Sequence, residues 1–436
     1  MRRTVLLALA ALGVITPRAG ADGMLDPSFG NGGIVITNFP LGPGSDDRAL
    51  SLVVLPDGRA VAAGYAHPVI ELQYMAVARY LVSGALDTTF GNGGQVMVWF
   101  QPPPGQFDMG ATADSVLLQP DGRLVLVGDV AFQAPPRLFA LARLNPDGSL
   151  DPSFGTAGRV TTSFGSSVTG SGGLLQPDGR IVAVGFLGFS SGTIAAARYN
   201  ADGRLDPTFG IGGQLTLPQF PAFDVRDAAL QPDGKILIAV AGGADFALVR
   251  LLPNGSPDPT FDGDGLVISD FGASESASSV IVLGDGRIVL GGYREQGSAA
   301  DFALVRYLPD GTVDTTFGTG GLATADSGAP EIGEQLIRLP NGKLLLAGFA
   351  NDPGAHDFLL ARFQPDGALD TSFGTLGFLR TGFPGGTMDE CRAVAVAGPD
   401  LVLTAGAVIT GTFPSDFGLA RYIMTVPVEL LRFEVE

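Results

Sequence analysis

The feature that most constrains this chain is a phrase that returns along its whole length. It reads LDPSFGNGG from Leu25, LDTTFGNGG from Leu86, LDPSFGTAG from Leu150, LDPTFGIGG from Leu205, PDPTFDGDG from Pro257, VDTTFGTGG from Val313 and LDTSFGTLG from Leu369. The aspartates fall at Asp26, Asp87, Asp151, Asp206, Asp258, Asp314 and Asp370, at intervals of 61, 64, 55, 52, 56 and 56 residues. A unit of that size suits one four-stranded propeller blade better than a helical repeat. Each period also carries a Pro-Asp-Gly or related turn between apolar runs, as in LQPDGRLVLVGD from Leu118. A third run, FALARLN from Phe139, leads into a second such turn. Proline presets the first turn position and glycine takes the left-handed one, so each period holds two hairpins. The fold class that follows is all-β: a seven-bladed β-propeller of four-stranded blades.

Composition agrees and removes some partners. With 45% hydrophobic residues, 64 Gly and 31 Pro, the chain has enough apolar surface for a core and enough turn formers for many short strands. Lys plus Arg number 26 and Asp plus Glu 44, a formal charge of −18 that opposes phosphate backbones and anionic lipid, so nucleic acid is excluded as a partner class. The lone Cys391 stands in an apolar strand pattern and reads as a small core residue. At the start, Arg2 and Arg3 precede an apolar run from Val5 to Ile15 and then Ala19-Gly20-Ala21. That is the layout of a secretory signal peptide over residues 1–21, with an apolar run too short to span a bilayer. No later segment is apolar enough to be a transmembrane helix, so a mature protein from about Asp22 is expected outside the cytoplasm, secreted, cell-surface or periplasmic.

The joined phrases DGRLVLVGD, FALARLN-PDG-SLDPSFG and a following Gly resemble the delta-60 repeat, a bacterial β-propeller repeat. The resemblance covers Asp22 to about Tyr422. Every copy keeps its Phe, at Phe29, Phe90, Phe154, Phe209, Phe261, Phe317 and Phe373. It implies a secreted or surface propeller of residues 22–423 and assigns no activity.

Two phasings of the blade are open. Pro27, Pro152, Pro207 and Pro259 begin the LDPSFG segments, and proline in a sheet is tolerated mainly on edge strands, which makes that segment the outer one. The chain then opens with a lone outer strand, and residues 390–422 supply the other three strands of the same blade. A spacing of eight places each Arg opposite an Asp across the second turn, as with Arg306 and Asp314. Arg421 and Asp26 are left over and should pair. As exposed pairs they are worth only about 0.2 to 1 kcal/mol each and serve to set register. The rival phasing makes residues 25 to 80 a whole blade and separates Arg421 from Asp26. Residues 424–436 read as a tail or an extra strand.

Chemistry is expected where the repeat fails. The turns fall on one rim and scarcely vary, whereas the opposite rim changes in length and composition at 65–73, 100–112, 130–137 and 349–357. Trp99, the only Trp, stands there with Phe100, Phe107 and Phe132, as candidates for stacking on a sugar or peptide. Asp47, Asp114, Asp227, Glu334 and Glu390, near the starts of the inner strands, are candidates to line an axial channel. Converging carboxylates suggest Ca²⁺, but the aligned Arg226 and Arg392 offset them. The GxSxG match at 188–192 lies in a Ser- and Gly-rich loop without the strand-turn-helix setting it needs. With two histidines in blades far apart, no histidine-based triad or zinc site is evident. The reading is a monomeric secreted scaffold binding a protein or glycan through its variable rim, with no cofactor. The alternative is a carbohydrate- or lactone-active propeller enzyme using the channel carboxylates.

Overall fold

A computed structural model describes residues 22–425 except 43, 69–71, 106, 134–136, 189–191, 221–223, 242, 298, 353 and 410–413. The signal-peptide segment, the core of the GxSxG match and residues 426–436 therefore lie outside the described residues. Those described are all strand and turn, with no helix, so none is long and apolar enough to cross a membrane.

The strands associate as four-stranded antiparallel units, and none of the resulting sheets is closed on itself. The run begins with Asp46–Val54, Ala60–His67, Tyr74–Tyr80 and Gln95–Val98, followed by Asp108–Leu118, Leu124–Phe132, Leu138–Leu144 and Arg159–Thr162. It continues in the same way through units that start at Val168, Asp224, Ser274 and Glu331. The last unit takes Met388–Gly398, Leu401–Ile409 and Ser415–Ile423, and its fourth strand comes from the start of the chain. Ile34–Thr37 pairs with Ser415–Ile423 from Ile34 opposite Ala420 to Thr37 opposite Phe417, and Met24–Leu25 continues that pairing. Successive units pack face to face, the inner strand of each against the unit before it, and Asp46–Val54 packs on the last unit. These pairings exclude the phasing in which residues 25 to 80 stand alone.

The repeated residues turn out to be buried. Each repeat Arg donates from Nε to its Asp at 2.6 to 2.9 Å and lies over the Phe of the same phrase at 4.2 to 4.8 Å. A further nitrogen reaches a turn carbonyl of the neighbouring unit, for example Arg306 to Pro365 at 2.7 Å. The Arg306–Asp314 pair was expected at the surface as a mark of register. Instead its side chains are nearly inaccessible, and it clamps two units together. A second cation reaches the same carboxylate in six of these places, such as Arg287 at 3.3 Å from Asp314 and Lys343 at 2.7 Å from Asp370.

The seam repeats this arrangement with residues from both ends of the described chain. Arg421 Nε donates to Asp26 at 2.8 Å, as the eight-residue rule requires. Arg362 reaches the Met424 carbonyl at 2.9 Å, as Arg306 reaches Pro365, while Gly374 N donates to Asp22 O, as Gly318 N does to Asp366 O. Met424, Asp22 and Gly23 thus stand in the places of Pro, Asp and Gly in an interrupted turn. Gly23 has φ of +93°, matching Gly367 at +91°, and a Cβ on it would lie 2.3 Å from the Phe373 ring. Met424, assigned from the sequence to the tail, is buried in this joint. Leu401 takes the place of the second cation, so among the described residues Arg421 is the one cation on Asp26.

Candidate functional site

The inner strands share one irregularity that fixes the axial cavity. Each carries a β-bulge, between Ala49 and Ser51, Ala113 and Ser115, Gly170 and Gly172, Val225 and Asp227, Ala277 and Ser279, Gly333 and Gln335, and Cys391 and Ala393. In six of the seven a glycine lies opposite the residue before the bulge, and a Cβ on Gly128 would sit 2.0 Å from the Thr112 carbonyl; beside the bulge at Arg226 the place is taken by Val240. The bulged residues are Leu50, Asp114, Ser171, Arg226, Ser278, Glu334 and Arg392, and all of them line a cavity of about 210 Å³ on the axis. A bulge leaves its extra residue outside the ladder and re-aims it, so one repeated backbone feature presents side chains that do not repeat.

Three of the five acidic residues expected at the channel are on its wall. Asp227, next to the bulge, accepts from Ser279 Oγ and Val280 N, both at 2.9 Å, and from Ala228 N at 2.8 Å, so it ties two inner strands together. Glu334 is paired with Arg392, which also bonds Glu390 at 2.7 Å. Arg48 approaches Glu390 at 3.6 Å, and His356 Nδ1 lies 3.9 Å away. Asp114 differs: its Oδ2 is enclosed and has no hydrogen-bond partner. Burial first, then the Asp129 charge, pushes the Asp114 carboxyl well above the usual range against the pull of Arg137. Asp129 is itself held by Arg137 at 2.9 Å and by Gly170 N at 3.0 Å.

Asp47 corrects the expectation. It is fully buried away from the cavity and accepts from Phe39 N at 2.9 Å and Ser45 Oγ at 3.1 Å. Glu390 lies in the ion-pair network and not among the cavity-lining residues. Both lie before the bulge of their strand, two or three residues short of the position that lines the cavity. Counting back six residues from the turn proline would have found most of these lining positions, as in Asp114 to Pro120 and Glu334 to Pro340.

The aromatic group divides as well. Trp99 is 40% exposed and Phe107 71%, with Met109 beside it at 63%. Phe100 and Phe132, at 2% and 8%, belong to the core between the first two units and offer no surface to a partner. Gln133 N donates to Phe107 O at 2.8 Å, which fastens the long connection to the neighbouring hairpin, and Arg159 donates to Trp99 O at 2.7 Å. Trp99 borders a cleft of about 370 Å³ with Gln101 and Arg159. Much of 349–357, expected as a loop, is strand: Leu344–Asp352 pairs with Ala355–Phe363, with His356 opposite Asn351.

Six segments, residues 55–90, 119–154, 176–209, 231–261, 283–317 and 339–373, match the family model of a domain of unknown function, the DUF5122 β-propeller. With the four-stranded antiparallel units, they support a repeat β-propeller. No curated protein matches the chain. Among solved structures, it is similar to a protein of unknown function from Dyadobacter fermentans, with 12% identity over 92% of this chain and 100% of that one and a TM-score of 0.47. It is also similar to virginiamycin B lyase from Staphylococcus aureus, with 10% identity, 90% and 98% coverage and a TM-score of 0.48. For the PQQ-bound aldose sugar dehydrogenase from Streptomyces coelicolor the values are 14%, 70%, 93% and 0.39. Likeness at this level carries no argument about activity.

Proposed function

We propose that the chain is a secreted, seven-bladed propeller of the delta-60 type that acts as a binding module. On this reading residues 1–21 are a cleaved signal peptide, residues 22–424 form the propeller and the rest is a tail. Its rim opposite the Pro-Asp-Gly turns engages a protein or glycan at the cell surface. The observation that carries the reading is the connection from Trp99 to Met109, which holds Trp99, Phe107 and Met109 in solvent above a core anchored by Phe100. Exposed aromatic side chains on a fastened loop present apolar area at low entropic cost, the usual makings of a recognition surface. The test is fluorescently labelled protein on a glycan array and on intact bacterial cells. Saturable binding by the wild type should fall at least about tenfold for Trp99→Ala and Phe107→Ser, the loss typical of a hot-spot side chain. Equal binding by both variants would reject the rim as the site.

A second reading, an extracellular carbohydrate- or lactone-active enzyme, is favoured by Asp114 alone. A buried carboxyl held above its usual range beside a second acid is the makings of a general acid. Turnover of a polysaccharide or lactone panel that Asp114→Asn abolishes would favour it.

A further inference from the structure

On the variable rim, where the outer strand Leu322–Ala325 passes to the inner strand at Glu331, three carboxylates converge. Asp301, Asp326 and Glu331 each place an oxygen within 4.8 Å of the others. Glu331 is the unusual member. It is 0% exposed, its Oε1 is held by the amide of Ser327 at 2.8 Å and by that residue's hydroxyl, and its Oε2 is buried with no hydrogen-bond partner.

The preceding unit shows how a cation can serve this position. There Asp245, Asp270 and Glu275 form the same cluster, and Glu275 lies opposite Arg294 in the strand register. Arg294 Nε donates to Glu275 at 3.0 Å and its other end bonds the Phe271 carbonyl at 3.0 Å, so a guanidinium supplies the missing charge. Opposite Glu331 the corresponding residue is Ala350. The fold keeps the acidic cluster and drops its cation. A buried carboxylate among like charges with one oxygen unsatisfied is costly unless a cation joins it.

We propose that Asp301, Asp326 and Glu331 bind a divalent calcium-type cation that bridges two units on the variable rim. All-oxygen, carboxylate-rich ligation suits a hard cation, and Ca²⁺ tolerates irregular geometry, with water completing its shell, better than Mg²⁺ does. Two of the three ligands flank a junction between units, so the ion acts as a removable counterpart of Arg294.

The experiment uses the full chain stripped with EDTA, titrated calorimetrically with CaCl₂, and melted with and without the ion. Wild type should show one saturable site with Kd on the order of 0.1 to 1 mM, the range of extracellular modules, and a higher Tm in Ca²⁺. Asp326→Asn, an exposed substitution that leaves the fold alone, should weaken binding at least about tenfold by removing one ligand charge. Glu331→Gln should abolish binding and the Ca²⁺-dependent Tm gain, and should melt no lower than wild type in EDTA. Glu275→Gln, at the Arg294-paired cluster, should titrate like wild type. Absence of saturable heat in wild type, or unchanged titrations for Asp326→Asn and Glu331→Gln, overturns the proposal.

Discussion

Replacing Arg421 with Ala should destabilise the protein more than replacing Arg306 with Ala, although the two arginines occupy the same place in the repeat. Both pair with a buried Asp, bond a neighbouring carbonyl and lie over a Phe, at 4.7 Å for Phe29 and 4.6 Å for Phe317. In the Arg306 variant, Arg287 remains 3.3 Å from Asp314 and continues to neutralise it. In the Arg421 variant, Asp26 keeps only the Ser28 amide and hydroxyl, at 2.9 and 2.7 Å. Breaking a buried pair by removing one partner costs about 3 to 5 kcal/mol, and losing a cation–π contact about 0.5 to 2. Roughly 4 kcal/mol for Arg421→Ala and roughly 2 for Arg306→Ala follow, the smaller value reflecting the cation that stays. With an unfolding entropy of about 2.1 cal/mol/K per residue over roughly 400 residues, these become Tm losses of about 5 °C and about 2 to 3 °C. Scanning calorimetry at neutral pH and low salt reads the difference. Equal losses, or a larger one for Arg306→Ala, would refute the claim that the second cation matters. A loss under about 1 °C for both would return these pairs to the status of surface ion pairs.

Three further outcomes are expected. Burial, with neighbouring acids, raises the carboxyls of Asp47 and Asp389 to about 6 in the folded state, against about 3.9 unfolded. Their contribution is therefore complete below about pH 4 and is lost as pH rises through about 6, so Tm should fall from pH 4.5 to 7. Asn at both positions should flatten that slope, and a Tm that rises over the window contradicts the sign. Asp258 and Asp314, lowered to about 2, act in the opposite sense, and their stabilisation is lost only as pH falls below about 4. Gly23→Ala meets both a positive φ and the Phe373 ring, whereas Gly32→Ala meets a positive φ with open space around it. The first should cost at least about 2 kcal/mol more in urea unfolding, a clash on top of the shared backbone strain. Deleting residues 22–40 removes the strand that pairs with Ser415–Ile423 and exposes an edge, so size-exclusion chromatography should show aggregate; a soluble, cooperatively unfolding truncation would contradict the seam.

What the sequence made legible is what repeats. Spacing identified the four-stranded units, proline placed the outer strand, and the eight-residue rule paired Arg421 with Asp26 across the chain. Burial of that pair was not legible, because a charged pair beside a turn reads as surface until the neighbouring unit packs over it. The channel was half legible for a related reason. Alternation locates the faces of a strand only while the ladder is regular, and a bulge such as those at Asp114 and Arg392 leaves no mark in the spacing of apolar residues. Phe100 and Phe132 were misplaced because a residue in a variable connection can still point inward, and composition does not reveal direction. The Glu331 cluster gave no signal in isolation; it emerges from comparing Ala350 with Arg294 across the strand register.

The seam also sets a clock. Asp26 and Arg421 are 395 residues apart, and the segment around Phe29, with Met24–Leu25 and Ile34–Thr37 on either side of it, holds the first of the described strands to be made. At about 5 to 20 residues per second, that strand waits roughly 20 to 80 s for its partner. Until Ser415–Ile423 emerges, the other units can pair locally, but the ring has two open faces and an apolar strand without a sheet. Completion of the fold is thus a single late event of maximal sequence separation, the slowest class of contact to form. The first strand is in effect a sticky segment that must be kept from foreign edges for the whole of synthesis, and its Pro27 and short pairing stretch are the features that keep it a poor template meanwhile.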